Sequence, residues 1–163
     1  MAIDGAFNGV TTRLRSWGVK LVPLVLWATT SSCSQLLRTP VTAKAGAWVI
    51  HVKGVRDGPD IFGDGMGAIV MAGSDAHFLW VTLTLSNTTA EKRRWTWSKC
   101  DLDGPRGTIV PTAVAYRSTM LGREALIEPG AIITRDLVFG YPDGLRPSRL
   151  QCGDMSLALN LEL

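Results

Sequence analysis

Histidine and cysteine are scarce in this 163-residue chain, which carries two of the first and three of the second. Zinc is held by three or four Cys, His or carboxylate ligands brought together. With only His51 and His77, and with the thiols better spent on a pairing, no transition metal and no cofactor are expected. A surplus of one charge is missing too. The formal net charge is +3, and setting aside residues 1–33 leaves 14 Lys and Arg against 13 Asp and Glu. A nucleic-acid partner would need cations clustered on the folded part, so none is expected. No apolar run reaches the roughly 20 residues that a membrane-spanning helix requires. Internal repeats and low-complexity tracts are absent as well.

What the chain does have is alternation. From His77 onward, short period-two apolar runs are cut by Asn, Gly, Pro and Asp, as in HFLWVTLTLSN, EPGAIITRDLVFGYPDG and MSLALNLEL. Such runs bury one face only when sheet packs on sheet, which predicts an all-β, immunoglobulin-like antiparallel sandwich of about 7–9 strands. Trp48, Ile50 and Val52 alternate with Val49, His51 and Lys53 in a first strand. Leu79, Val81, Leu83 and Leu85 point one way and Phe78, Trp80, Thr82 and Thr84 the other, marking a central strand. Arg56 to Gly67 is read as a long loop and Asp101 to Gly107 as a turn. Ser118 to Glu128 has room for a single helical turn. In the run from Ala131 to Tyr141, the apolar parity of Ile133, Leu137, Phe139 and Tyr141 is broken by Arg135.

Residues 1–33 read as an export signal that precedes the fold. Arg13, Arg15 and Lys20 flank a short apolar run from Leu21 to Ala28, and small polar residues lead to Cys33; a buried N-terminal helix is the other option. If Cys33 is the acylated residue of a bacterial lipoprotein, Cys100 and Cys152 remain as an even pair for a disulfide in an oxidising compartment. Thr30-Ser31-Ser32-Cys33 lacks the leucine usual in such a motif, and Ala43-Lys44-Ala45 competes as a cleavage site for ordinary secretion. Residues 34–46 are read as a flexible tether and 47–163 as the domain. The expected location is the cell envelope, lipid-anchored, or the space outside the cytoplasm.

The order of Val81-Thr82-Leu83-Thr84-Leu85-Ser86-Asn87, Leu102-Asp103-Gly104, Pro129-Gly130, and Leu137-Val138-Phe139 with Tyr141-Pro142 resembles a bacterial domain-of-unknown-function family. That family has a telokin-like, immunoglobulin-like fold and occurs in secreted proteins and lipoproteins. The resemblance spans about Ala47 to Leu163 and implies the same sandwich; the family has no established catalytic residues to carry over. The insertion-like Gly-Pro-Arg after Asp103, Arg135 and the cysteine pair depart from its pattern.

Chemistry has few candidates. Ser74, Asp75 and His77 are the types a serine hydrolase uses, but residues so close in sequence rarely converge. Gly63 to Ala68 imitates a dinucleotide fingerprint without the flanking strand and helix. Asp57, Asp60 and Asp64 offer hard oxygen ligands for Ca²⁺ without the spacing of a known calcium loop. In Lys92 to Trp97, the common parity of Trp95 and Trp97 argues for burial over a stacking surface. Phe78 and Trp80, opposite the leucine stripe, would mark a partner site if left exposed. The expectation is a non-enzymatic exported envelope domain that presents a protein- or ligand-binding surface, with an envelope protein as partner. A purely structural envelope protein and a calcium-loop module are the alternatives, and a secreted hydrolase comes last.

Overall fold

In the computed structural model the described residues are 35–63, 69–117 and 119–162. The leader with Cys33, and Asp64, lie outside them. The described residues form an all-β, immunoglobulin-like antiparallel sandwich interrupted by one 3₁₀ turn, Trp97–Lys99. The larger sheet runs in the order β1 (Val41–Ala45), β2 (Trp48–Asp57), β5 (Ala76–Asn87), β12 (Ile132–Pro142), β9 (Ala113–Tyr116) and β10 (Thr119–Met120). The smaller has the order β14 (Met155–Ala158), β13 (Arg149–Cys152), β7 (Cys100–Gly104) and β8 (Gly107–Ile109). Two ribbons complete the fold: β3 (Ile61–Gly63) with β4 (Ile69–Met71), and β6 (Arg93–Thr96) with β11 (Glu124–Ile127). The strands among the described residues thus number fourteen, more than the seven to nine expected, because several expected loops pair.

The central strand shows why the layers form. Leu79, Val81, Leu83 and Leu85 on β5 are fully buried with Ile50 and Val52 of β2 and Leu137 and Phe139 of β12. They share one core with Leu102, Leu150, Met155 and Leu157 from the smaller sheet. Each side chain of this size contributes about 1.5–3 kcal/mol when removed from water, so the shared face dominates the stability of the sandwich. Trp95 and Trp97 are also buried, as their common parity suggested, although Trp97 sits in the 3₁₀ turn and not on a strand. Their rings meet edge to face at 6.2 Å, and Trp48 approaches Trp95 at 5.1 Å. Cys100 and Cys152 are register partners across β7 and β13, with Cα atoms 4.0 Å apart, and are joined by a disulfide.

Four expectations are corrected. The tether read over residues 34–46 is part of the domain from Gln35 onward: Leu36 and Leu37 are core residues, the Leu36 amide donates to the Val55 carbonyl, and β1 pairs along β2. Its Ser, Thr and Pro content hid two leucines and the half-buried row Val41, Ala43 and Ala45. The loop read over Arg56 to Gly67 contains β3, which pairs with β4 beyond it. Asp101 to Gly104 continues β7, and the turn is confined to Pro105-Arg106 before Gly107, whose φ of +105° suits glycine. Ser118 to Glu128 supplies strands β10 and β11 in place of a helical turn.

The partner site expected at Phe78 and Trp80 is also overturned. These side chains are 1% and 2% exposed, because a second, smaller core forms on the outer face of the larger sheet. Ala113, Ala115 and Val138 surround them, with Val70, Ala72 and Met120 packed alongside, and the Arg56 guanidinium lies 4.8 Å from the Trp80 ring. The chain passes so close that a Cβ on Gly58 would run into the Trp80 indole. Covering this face turns Ile61, Ile69 and Met71 of the β3–β4 ribbon outward, each more than half exposed.

Candidate functional site

Three neighbouring strands of the larger sheet end at the same edge. Register pairs Asp57 of β2 with Leu79 of β5, and Tyr141 of β12 with His77 of β5. The Pro142-Asp143-Gly144 turn, with Gly144 at φ +69°, then folds Asp143 back over the start of β5. Its amide donates to the Asp75 carbonyl at 3.1 Å, which fixes the turn against that strand.

His77 is the centre of the result. Its side chain is 17% exposed, and Nδ1 lies 2.8 Å from Asp143 Oδ1, in hydrogen-bond geometry. On the other side of the ring, Nε2 faces Asp57 Oδ1 at 3.3 Å. That second contact is off the hydrogen-bonding line, and both of its atoms are buried with no other partner among the described residues. The far oxygen of Asp57 is 3.8 Å from Arg146 Nη2, and Arg146 spends Nη1 on the Leu145 carbonyl. The Tyr141 ring stands edge-on to the imidazole at 6.4 Å, and burial pushes its phenol above the ordinary value, with Arg146 acting in the opposite sense. Above these groups opens a cleft of about 400 Å³, walled also by Gly58 and Asp60.

Two carboxylates flank one imidazole among the residues that line this cleft. An imidazole held by a carboxylate resembles half of a hydrolytic triad, in which a hydroxyl or thiol nucleophile stands at the other nitrogen. Here a second carboxylate stands there, and Ser74 makes no hydrogen bond to His77. Nor do the ligands converge on a metal, since Asp57 and Asp143 face opposite edges of one ring. No group of three His, Cys, Asp or Glu among the described residues is arranged to hold an ion. The calcium candidates are divided accordingly: Asp57 is turned to His77 and Arg146, and Asp60 lines the cleft wall.

The sequence singles out His77 and Asp57 for unrelated reasons and gives Asp143 no weight beyond its place in the PDG that ends an apolar run. Arg146 was not singled out. The signal for Asp57, His77 and Asp143 was register, the coincidence of three strand ends, whereas Arg146 lies in the stretch between β12 and β13.

These features define a class, an antiparallel β-sandwich with a polar cleft at one end of its larger sheet. The chain matches no protein-family model and no curated protein. Among solved structures it is similar to a conserved hypothetical protein from Bacillus anthracis, with a TM-score of 0.54 at 12% identity, over 77% of this chain and 95% of that one. At that identity the likeness shows the fold alone.

Proposed function

We propose that this chain is a non-enzymatic, exported cell-envelope domain whose end cleft binds a small cationic ligand bearing ammonium or guanidinium donors. The observation that carries the reading is the cleft itself, where Asp57, Asp60 and Asp143 outnumber Arg146 around a largely buried imidazole. Asp143 keeps its side chain mostly exposed at the rim, so a carboxylate edge faces the opening. A low-dielectric wall strengthens such charge complementarity. Thermal shift with spermidine and L-arginine amide tests this. The expected result is a rise in melting temperature that Asp60→Asn abolishes without changing the unliganded melt. No rise with either compound sets the cleft aside.

The protein-partner half of the reading moves from Phe78 and Trp80 to the outward row Ile61, Ile69 and Met71. Exposed apolar side chains in a row are what a partner's core would cover. An envelope protein retained by the wild type in pull-down should be released by Met71→Glu, and equal retention by that variant removes the row from consideration. Export is supported by the Cys100–Cys152 disulfide, since such bonds persist outside the reducing cytoplasm. Intact mass of the mature protein from membranes reports acylation at Cys33, and an unprocessed N-terminus in that fraction counts against export.

A further inference from the structure

Arg135, the residue that breaks the apolar parity of β12, has no counter-ion among the described residues. It is the register partner of Leu83, a fully buried side chain, and so stands on the row that faces the shared core. Its Nη1 donates to the Thr134 carbonyl at 2.6 Å, and no carboxylate among the described residues lies within ion-pair distance. Arg38, Arg93, Arg94, Arg146 and Arg149 each have one. Asp136, next in the chain, is turned to the other face of the sheet, where it accepts from Thr82 Oγ1 at 2.6 Å. Desolvation works against the Arg135 charge and lowers the guanidinium below its ordinary value, while Tyr116 partly offsets this.

A second guanidinium approaches the same ring. Tyr116, 39% exposed, closes β9, and its ring centroid is 5.9 Å from Arg135 Cζ and 5.3 Å from Arg117 Cζ. Arg117 has φ +49°, the one non-glycine residue with positive φ among those described. A left-handed backbone is unfavourable for arginine, and turns that need it ordinarily use glycine, asparagine or aspartate. Cation–π attraction to one ring supplies neither guanidinium with a counter-charge. Each guanidinium presents five N–H donors in a planar fork, of which Arg135 commits one within the described structure.

We propose that Arg117 and Arg135, both at the Tyr116 ring, form a binding site for an oxyanion, the phosphate or carboxylate group of a ligand received where β9 ends beside β12. Forked guanidiniums match the spacing of such oxygens, and an anion held there supplies the counter-charge that Arg135 on the core row lacks. The site shares no residue with the His77 cleft, so the two readings stand or fall separately.

The test is titration of the full chain with pyrophosphate, with citrate, and with phosphatidylglycerol vesicles against phosphatidylcholine controls. Calorimetry gives the affinity, and the arginine Nε–H resonances give the location. The expected result is saturable binding that shifts the Arg117 and Arg135 signals and weakens at least tenfold in Arg117→Gly and in Arg135→Met. Both variants should melt no lower than wild type, since one relaxes the backbone and the other replaces a charge on an apolar row. If Arg135→Met fails to fold, Arg117→Gly carries the test alone. Binding of free pyrophosphate or citrate identifies a soluble anion as the source, and binding of the anionic vesicles only identifies a lipid headgroup. Unmoved arginine resonances with all three probes, or variant affinities within twofold of wild type, overturn the proposal.

Discussion

Asn87, 1% exposed at the end of β5, shows how one side chain can hold three segments together. Its Nδ2 donates to the carbonyls of Glu91 at 2.7 Å and Ile127 at 3.0 Å, with Glu128 further off at 3.3 Å. Its Oδ1 accepts from the Thr89 amide and hydroxyl at 3.1 and 2.7 Å. The sequence shows Asn87 only as the residue that ends an apolar run, because an amide's place in a window is visible and its partners forty residues away are not. Asn87→Ala removes one side of this network and leaves buried carbonyls unpaired. The expected loss is about 2–3 kcal/mol in urea unfolding, and a loss below about 0.5 kcal/mol would show that water replaces the amide.

At the scale of elements, the two ends of the domain are the informative pieces. Leu37 bridges to Leu161, and β1 contacts β14 as well as pairing with β2, so the first described segment joins the two sheets at one side. A tether would tolerate charge there. Leu37→Asp should instead cost about 3 kcal/mol, read by the denaturant midpoint, because a carboxylate would replace a side chain in the core. The disulfide acts within the smaller sheet, where Cys100 and Cys152, 52 residues apart in sequence, face each other from β7 and β13. In the chain-entropy model a closed loop of this length is worth around 4 kcal/mol. The double variant Cys100→Ala, Cys152→Ala should unfold at correspondingly lower urea, and an unchanged midpoint would show that the strands hold register without the bond. The sequence offered this pair by arithmetic on three thiols. It did not show that the partners are neighbours in one sheet, since that depends on β7 and β13 being adjacent.

For the molecule as a whole, stability should depend on pH through a small number of strained groups. Burial raises the Asp101 carboxyl above its ordinary value of 3.8, and the nearby Asp103 charge adds to this. Asp101 Oδ1 is buried without a hydrogen-bond partner among the described residues. A raised acid holds its proton in the native state at a pH where the unfolded chain has released it. Its contribution is therefore complete below 3.8 and is lost as pH rises through the raised value. Tyr141 follows the same sign at the alkaline end, above its ordinary 10.0. Urea midpoints across roughly pH 3 to 7 should show Asp101→Asn gaining on wild type as pH rises, and parallel curves would contradict this.

Alternation was a local property, and it was enough. Side chains of an extended chain point to opposite faces every second residue, so the leucines of β5 and the apolar half of β12 specified a layered β-fold before any strand had a neighbour. Trp95 and Trp97 as core residues followed from the same parity. What covers a face, and which strand ends meet, are not local. Phe78 and Trp80 are interior only because β9, β12 and the β3–β4 ribbon close over them. His77 reaches Asp143 across 66 residues only because β5 and β12 pair in that register. Long-range pairing places such residues together at the cost of chain entropy that no short window of sequence records, and for that reason the cleft and the arginine pair at Tyr116 emerged only from the tertiary structure.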